Sequence, residues 1–222
     1  MKAFYLFISG AGLFIILGFI ASLTYEKVDF LIWLSASRNT IADYYFYYIT
    51  KLGESYAFVF FSLFFLITSW RKMVPVPVLG LIVSIMSHFL KIYFRHERPS
   101  VYLEKMKWDG NMSVLDYHIL GGDNSFPSGH SMAAWAIFTL AALLIRKTWF
   151  SILALFLAFS VSISRVYLMA HFLQDVVAGA AIGFLLGFGV YYGYARWMKK
   201  HAETPSDVKF VKEEIVDVEK LD

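Results

Sequence analysis

Long apolar stretches broken by short polar clusters recur along the chain. Six of them, at 3–24, 55–70, 74–94, 129–145, 148–168 and 175–195, read as membrane-spanning helices. A bilayer's hydrocarbon core takes about 20 apolar residues of helix to cross. The second stretch is short, and Tyr45–Tyr48 extend its apolar surface. The segment 28–52 reads as one or two short helices at the membrane surface. Trp33, Tyr44, Tyr45, Phe46, Tyr47 and Tyr48 form its interfacial aromatic belt. The stretch 96–127 carries too many polar residues and glycines to span, and reads as the longest connecting loop. The run from Ala3 to about Leu23 is longer than the 7–15 apolar residues typical of a cleaved signal and lacks a clear cleavage site, so it reads as a retained first span.

Composition agrees with this pattern. Of 222 residues, 59% are hydrophobic. The mean hydropathy is +0.59, which points to a polytopic membrane protein of one domain, an all-α helical bundle over 1–200 with a polar tail at 201–222. The formal charge of +3 reflects loop lysines and arginines rather than a nucleic-acid surface. With no cysteine, thiol catalysis and cysteine-ligated metals are excluded. Arg71-Lys72, Arg146-Lys147 and the group Arg196, Lys199 and Lys200 fall on one side if six spans alternate. The positive-inside rule makes that side cytoplasmic, with both termini. The loops at 25–54, 96–127 and 169–174 then face outward, although Lys27, Arg38, Lys51, Lys105 and Lys107 also fall there.

Three polar clusters lie on that outer side. In "KIYFRHERP", Lys91 and Arg98 are seven residues apart. On a helix ending near Pro99 they share a face about 10 Å apart and suit one multivalent anion. In "FPSGH", Ser128 is an N-cap and Gly129 admits close approach to the backbone. The helix starting there offers free N–H groups to an anion, and His130 stands ready to exchange a proton beside it. In "SRVYLMAHFLQD", His171 and Asp175 are neighbours at helical spacing, so the aspartate can fix one imidazole tautomer. Arg165 joins them if the chain bends at about 168–173. Each cluster alone also reads as boundary cations, a capped helix start or a polar turn. Together they supply three permanent cations, two histidines and one aspartate, without the paired carboxylates of a two-metal site. That set fits phosphoryl transfer through a phosphohistidine, one histidine attacking in line and the other protonating the leaving oxygen.

At these residues the sequence resembles the type-2 phosphatidic acid phosphatases, membrane relatives of vanadium haloperoxidases and bacterial acid phosphatases. Lys91…Arg98-Pro99, Pro127-Ser128-Gly129-His130 and Ser164-Arg165…His171…Asp175 match the three-part family pattern in order and spacing. The resemblance covers residues 91–175 directly. It implies the acid phosphatase and haloperoxidase-like helical core, with His171 as nucleophile, Asp175 orienting it, and His130 as acid and then base. It further implies that Lys91, Arg98, Ser128, Gly129 and Arg165 bind the phosphate, that no metal or other cofactor takes part, and that the partner is a lipid phosphate or lipid diphosphate in the bilayer. The site would face the extracytoplasmic side of a cell membrane.

Other polar residues have plainer readings. His88 reads as a core histidine sharing a face with Lys91, and Arg95, His96 and Glu97 as loop-shaping. Trp108, Tyr117 and His118 are candidate lipid contacts. A phosphotransferase using the same intermediate stays open, as does an intramembrane haem or proton pathway through His88, His130 and His171. The lipid itself, whether phosphatidic acid, phosphatidylglycerophosphate, undecaprenyl diphosphate or a lipid A phosphate, is left open.

Overall fold

The apolar runs fold into helices, seen in a computed structural model that describes residues 2–110, 112–115, 117 and 121–214. The helices are α1 (Lys2–Thr24), α2 (Asp29–Ala36), α3 (Thr40–Ile49), α4 (Ser55–Thr68), α5 (Trp70–Met73) and α6 (Pro75–Phe94). After these come α7 (Pro99–Lys105), α8 (Gly129–Ile145), α9 (Thr148–Tyr167), α10 (Leu173–Lys200) and α11 (Pro205–Glu214). A 3-10 turn, Thr50–Gly53, joins α3 to α4. The segment 28–52, expected at the membrane surface, is thus two short helices and this turn.

Local chemistry sets the ends of the helices. Pro75 begins α6, where its missing N–H costs nothing, and Arg95 closes it in the left-handed region at φ 45°. Ser128 caps α8 by accepting from the Ser131 N–H, and Arg146 closes that helix at φ 58°. α9 stops at Tyr167, and the chain turns through Met169, at φ 55°, into α10. That is the bend expected at 168–173.

α8 lies at the centre, with every residue from Ser131 to Leu144 buried. Small residues let α10 approach it closely. A Cβ on Gly179, Gly183 or Gly187 would stand 2.5, 2.1 or 2.5 Å from the carbonyl oxygens of Ser128, Met132 and Ala136. Small residues at four-residue spacing allow such backbone contact between membrane helices. Polar groups tie the same helices together. The Ser131 hydroxyl donates to the Val176 carbonyl at 2.8 Å, and Trp135 Nε1 donates to Ser162 Oγ of α9 at 2.9 Å. These contacts set the start of α10 beside the start of α8, where the site forms.

Among the described residues, four helical stretches are long and apolar enough to cross a membrane: Lys2–Thr24, Trp70–Lys105, Thr148–Tyr167 and Leu173–Lys200. A fifth follows if Thr40–Gly53 and Ser55–Thr68, which meet at 63°, make one broken span. The molecule is therefore an all-helical membrane bundle with four to five candidate spans, short of the six expected. α8 is apolar but 17 residues long. It sits inside the bundle, so its hydrophobicity serves packing on all sides.

The loop at 96–127 begins with α7 and packs back on the bundle. Leu103, with Trp108 beside it, joins Leu31, Val166, Met169, Phe172 and Val176 in one cluster. In the tail, α11 docks on α5: Arg71 donates to Asp207 through Nε and Nη2 at 2.8 and 2.6 Å, and Phe210 is buried.

Candidate active site

The three sequence clusters meet at the ends of α6, α8, α9 and α10. His171 lies in the turn between α9 and α10 and is 2% exposed. Asp175, in the first turn of α10, is fully buried. It is not a helical i,i+4 neighbour of His171, because the helix starts only at Leu173. The turn nevertheless brings His171 Nδ1 to 3.7 Å from Asp175 Oδ2. Ser125 fills that gap. Its hydroxyl donates to Asp175 Oδ2 at 2.6 Å and lies 3.3 Å from His171 Nδ1. A proton on Nδ1 is then donated to Ser125 Oγ, and Nε2 is left with its lone pair free. Asp175 Oδ2 also accepts the Phe172 N–H at 3.0 Å, so the carboxylate is held from two directions. Burial, working against the pull of Asp175, lowers His171 from 6.5 to about 4, and the Arg165 charge lowers it further. The imidazole is therefore neutral near pH 7.

Arg165 closes α9 and is completely buried. Nη1 donates to Thr50 Oγ1 at 2.6 Å and Nη2 to the Tyr117 hydroxyl at 2.7 Å. Its Nε has no hydrogen-bond partner among the described residues. A buried guanidinium N–H left unpaired is costly, and an incoming anion would satisfy it.

Lys91 and Arg98 do not share a helix face. α6 ends at Phe94 because Arg95 takes the left-handed conformation, and Arg98 sits outside as the N-cap of α7. Arg98 still reaches the site by folding back. It donates through Nε to Asn124 Oδ1 at 2.7 Å and through Nη1 to the Ala170 carbonyl at 3.0 Å. Lys91 Nζ points to the start of α8, 3.6 Å from where a Cβ on Gly129 would stand. Ser128 is buried beneath, its N–H bonded to the Asp175 carbonyl at 2.9 Å. In the first turn of α8, the N–H groups of Gly129 and His130 have no helical carbonyl to bond. His130 feels the charges of Arg165, His171, Lys91 and Arg98, so the three cations and both histidines share one electrostatic neighbourhood.

Several residues in the site had no motif to announce them. Ser125 and Asn124 adjoin the Pro127-Ser128-Gly129-His130 run, and a buried serine beside a histidine–aspartate pair was the available clue. Thr50 and Glu54 come from a segment distant from Arg165 along the chain, 115 residues away in the case of Thr50. Glu54 Oε1 lies 3.6 Å from His130 Nε2. Of the candidate lipid contacts, Trp108 packs in the loop cluster, Tyr117 bonds Arg165, and His118 lies outside the described residues. Arg95, His96 and Glu97 shape the loop: the His96 carbonyl accepts the Ser125 N–H at 2.9 Å, and Glu97 pairs with Lys105. His88 lines a groove beside Lys91 instead of a closed core.

The family model of the PAP2 superfamily matches residues 72–199, more than half of the chain and all of these motif residues. The chain belongs to the PAP2 superfamily, a family of membrane lipid phosphatases. Within it, the chain is 39% identical over 87 residues to a lipid A 4'-phosphatase of Bacteroides thetaiotaomicron, covering 39% of this chain and 37% of that one. It is 29% identical over 181 residues to the lipid A 4'-phosphatase of Porphyromonas gingivalis, 74% of this chain and 73% of that protein. The crystal structure of a transmembrane PAP2-type phosphatidylglycerolphosphate phosphatase from Bacillus subtilis superimposes with a TM-score of 0.61 at 25% identity, over 89% of this chain and 99% of that one.

Proposed function

We propose that this PAP2 protein is a lipid phosphate phosphatase working through a phosphohistidine without a metal ion. The observation that carries the reading is the meeting of Lys91, Arg98, Arg165 and the start of α8 around His130 and His171, with a groove leading away from it. That groove, about 1000 Å³, runs between α4 and α6 from His130 and Lys91 down to Pro77. Fourteen helical residues separate Lys91 from Pro77, about 21 Å and enough for an acyl chain.

His171 Nε2 attacks phosphorus and forms a P–N bond, while the bond from phosphorus to the lipid oxygen breaks. His130 gives its proton to that oxygen. Lys91, Arg98 and Arg165, with the free N–H groups of Gly129 and His130, stabilise the equatorial oxygens. Water then attacks the phosphoryl group, giving its proton to His130. The P–N bond breaks, inorganic phosphate leaves, and His171 is regenerated with its tautomer held through Ser125 and Asp175.

The substrates named for the relatives, lipid A and phosphatidylglycerolphosphate, define the class proposed here: a phosphate carried by a membrane lipid. Six spans, with α4 and α8 counted, put both termini in the cytoplasm, leave 201–222 as a cytoplasmic extension of the 1–200 bundle, and set the site on the outer face of a cell membrane. The basic pairs Arg71-Lys72 and Arg146-Lys147 support this orientation. Phosphate release from purified protein over a panel of lipid phosphates, in the presence of EDTA, tests the reading. Release restored only by added magnesium would overturn the metal-free mechanism.

A further inference from the structure

We infer that Glu54 makes this site selective for lipid phosphomonoesters over lipid diphosphates. The inference rests on the function proposed above and narrows its substrate class.

In-line transfer puts the leaving group opposite the attacking His171, on the His130 side. The groove is lined by Lys91, Gly129 and His130, and the buried His171 is not among the described residues that line it. Glu54 lines this groove, its Oε1 3.6 Å from His130 Nε2. The carboxylate has no helix-capping role, since Glu54 caps α4 through its backbone alone. Its charge also acts on the buried Arg165.

The balance of charge on the two sides differs. Lys91, Arg98 and Arg165 surround the phosphoryl group that is transferred. Among the described groove-lining residues, Lys91 is the only permanent cation, and it is already committed to that group. The leaving group meets a carboxylate and hydroxyls such as Ser55 and Ser87. An alcohol leaves into this environment without added charge. A diphosphate would leave as a second phosphate anion beside Glu54, with no permanent cation besides Lys91 among the described groove-lining residues to offset it, and like charges disfavour such a partner.

The test compares three substrates: a short-chain phosphatidic acid, 4-nitrophenyl phosphate and farnesyl diphosphate. Glu54→Gln should raise kcat/KM for farnesyl diphosphate at least tenfold relative to 4-nitrophenyl phosphate, and Glu54→Asp should keep the wild-type ratio. Both of those substrates have good leaving groups, so the ratio isolates charge from acid catalysis. An unchanged ratio overturns the inference, as does an equal gain of both over phosphatidic acid, which would mean that Glu54 acts only through His130. Binding gives a second reading that needs no turnover. Wild type should bind a farnesyl monophosphonate at least tenfold more tightly than the corresponding diphosphonate, by thermal shift, and Glu54→Gln should close that gap. Equal affinities for wild type overturn the inference. Phosphonate binding without phosphate release from any substrate would instead count against the proposed function alone.

Discussion

Ser125 Oγ donates to Asp175 Oδ2 at 2.6 Å, and His171 Nδ1 reaches the carboxylate only at 3.7 Å. The serine hydroxyl therefore carries the orienting charge to the imidazole. Hydrogen bonds to charged groups contribute about 1.5–3 kcal/mol. Ser125→Ala should lower Tm and reduce kcat about ten- to a hundredfold with little change in KM, and Ser125→Thr should recover part of both losses. Steady-state kinetics on the three proteins checks this; full activity in the alanine variant would show that Asp175 acts on His171 directly.

The histidines should separate by step. His171→Ala should abolish labelling of the protein by a radioactive substrate phosphate and reduce turnover by at least about a thousandfold. With a lipid alcohol as leaving group, His130→Ala should slow phosphorylation by about 10²–10⁴-fold, the usual contribution of a general acid. With a nitrophenyl leaving group the loss in that step should be far smaller, and the phosphoenzyme should accumulate. Rapid-quench measurement of the labelled protein distinguishes the two.

An acid-dependent loss of stability should trace to His171. Burial holds this group near 4 in the folded protein, against 6.5 for an ordinary histidine. As pH falls between those values, the unfolded chain binds a proton that the folded chain refuses. The contribution to stability is thus complete above about 6.5 and is lost on approach to 4. Thermal unfolding in detergent should show Tm falling less steeply from pH 7 to 4.5 in His171→Gln than in wild type. In the free enzyme, kcat/KM at pH 5.5 should show no loss from protonation of this nucleophile.

The close contact of α8 and α10 should be intolerant of a single methyl group. A Cβ on Gly183 would stand 2.1 Å from the Met132 carbonyl oxygen, a backbone atom unable to yield locally. Overpacking of this kind costs about 1–3 kcal/mol. Gly183→Ala should lower Tm and kcat together, because the same helix pair positions Asp175 against Ser128. Gly189→Ala, with open space around it, should do neither.

The orientation has a direct test. A reporter active only outside the cytoplasm should work when fused near Gly110 and fail when fused near Arg146. The reverse pattern would move the site to the cytoplasmic leaflet.

The sequence pointed to the residues of the candidate site where they are close along the chain or fixed by spacing. Lys91, Arg98, His130, Arg165, His171 and Asp175 do come together, and the bend after Tyr167 was legible because an unbroken helix would have separated Arg165 from His171. The end of α6 was misplaced because Pro99 restricts only the residue before it. Arg95, taking a left-handed conformation that no sequence rule demands of arginine, ended the helix four residues sooner. Thr50 and Glu54 were invisible because their roles depend on α3 and α4 folding over the bundle. Hydropathy reads α8 as it reads the helices that face lipid, although α8 is 17 residues long and buried on all sides from Ser131 to Leu144.

The groove runs between two apolar helices of the bundle, α4 and α6, from His130 and Lys91 to Pro77. A lipid that enters through such a slot never has to leave its leaflet, so the quantity the enzyme senses is substrate per unit of membrane area. Adding inert lipid at constant bulk substrate should therefore slow the reaction as substrate adding at fixed membrane would hasten it, and the dephosphorylated product, still seated among its neighbours, returns to the bilayer by sliding out sideways instead of dissolving into water.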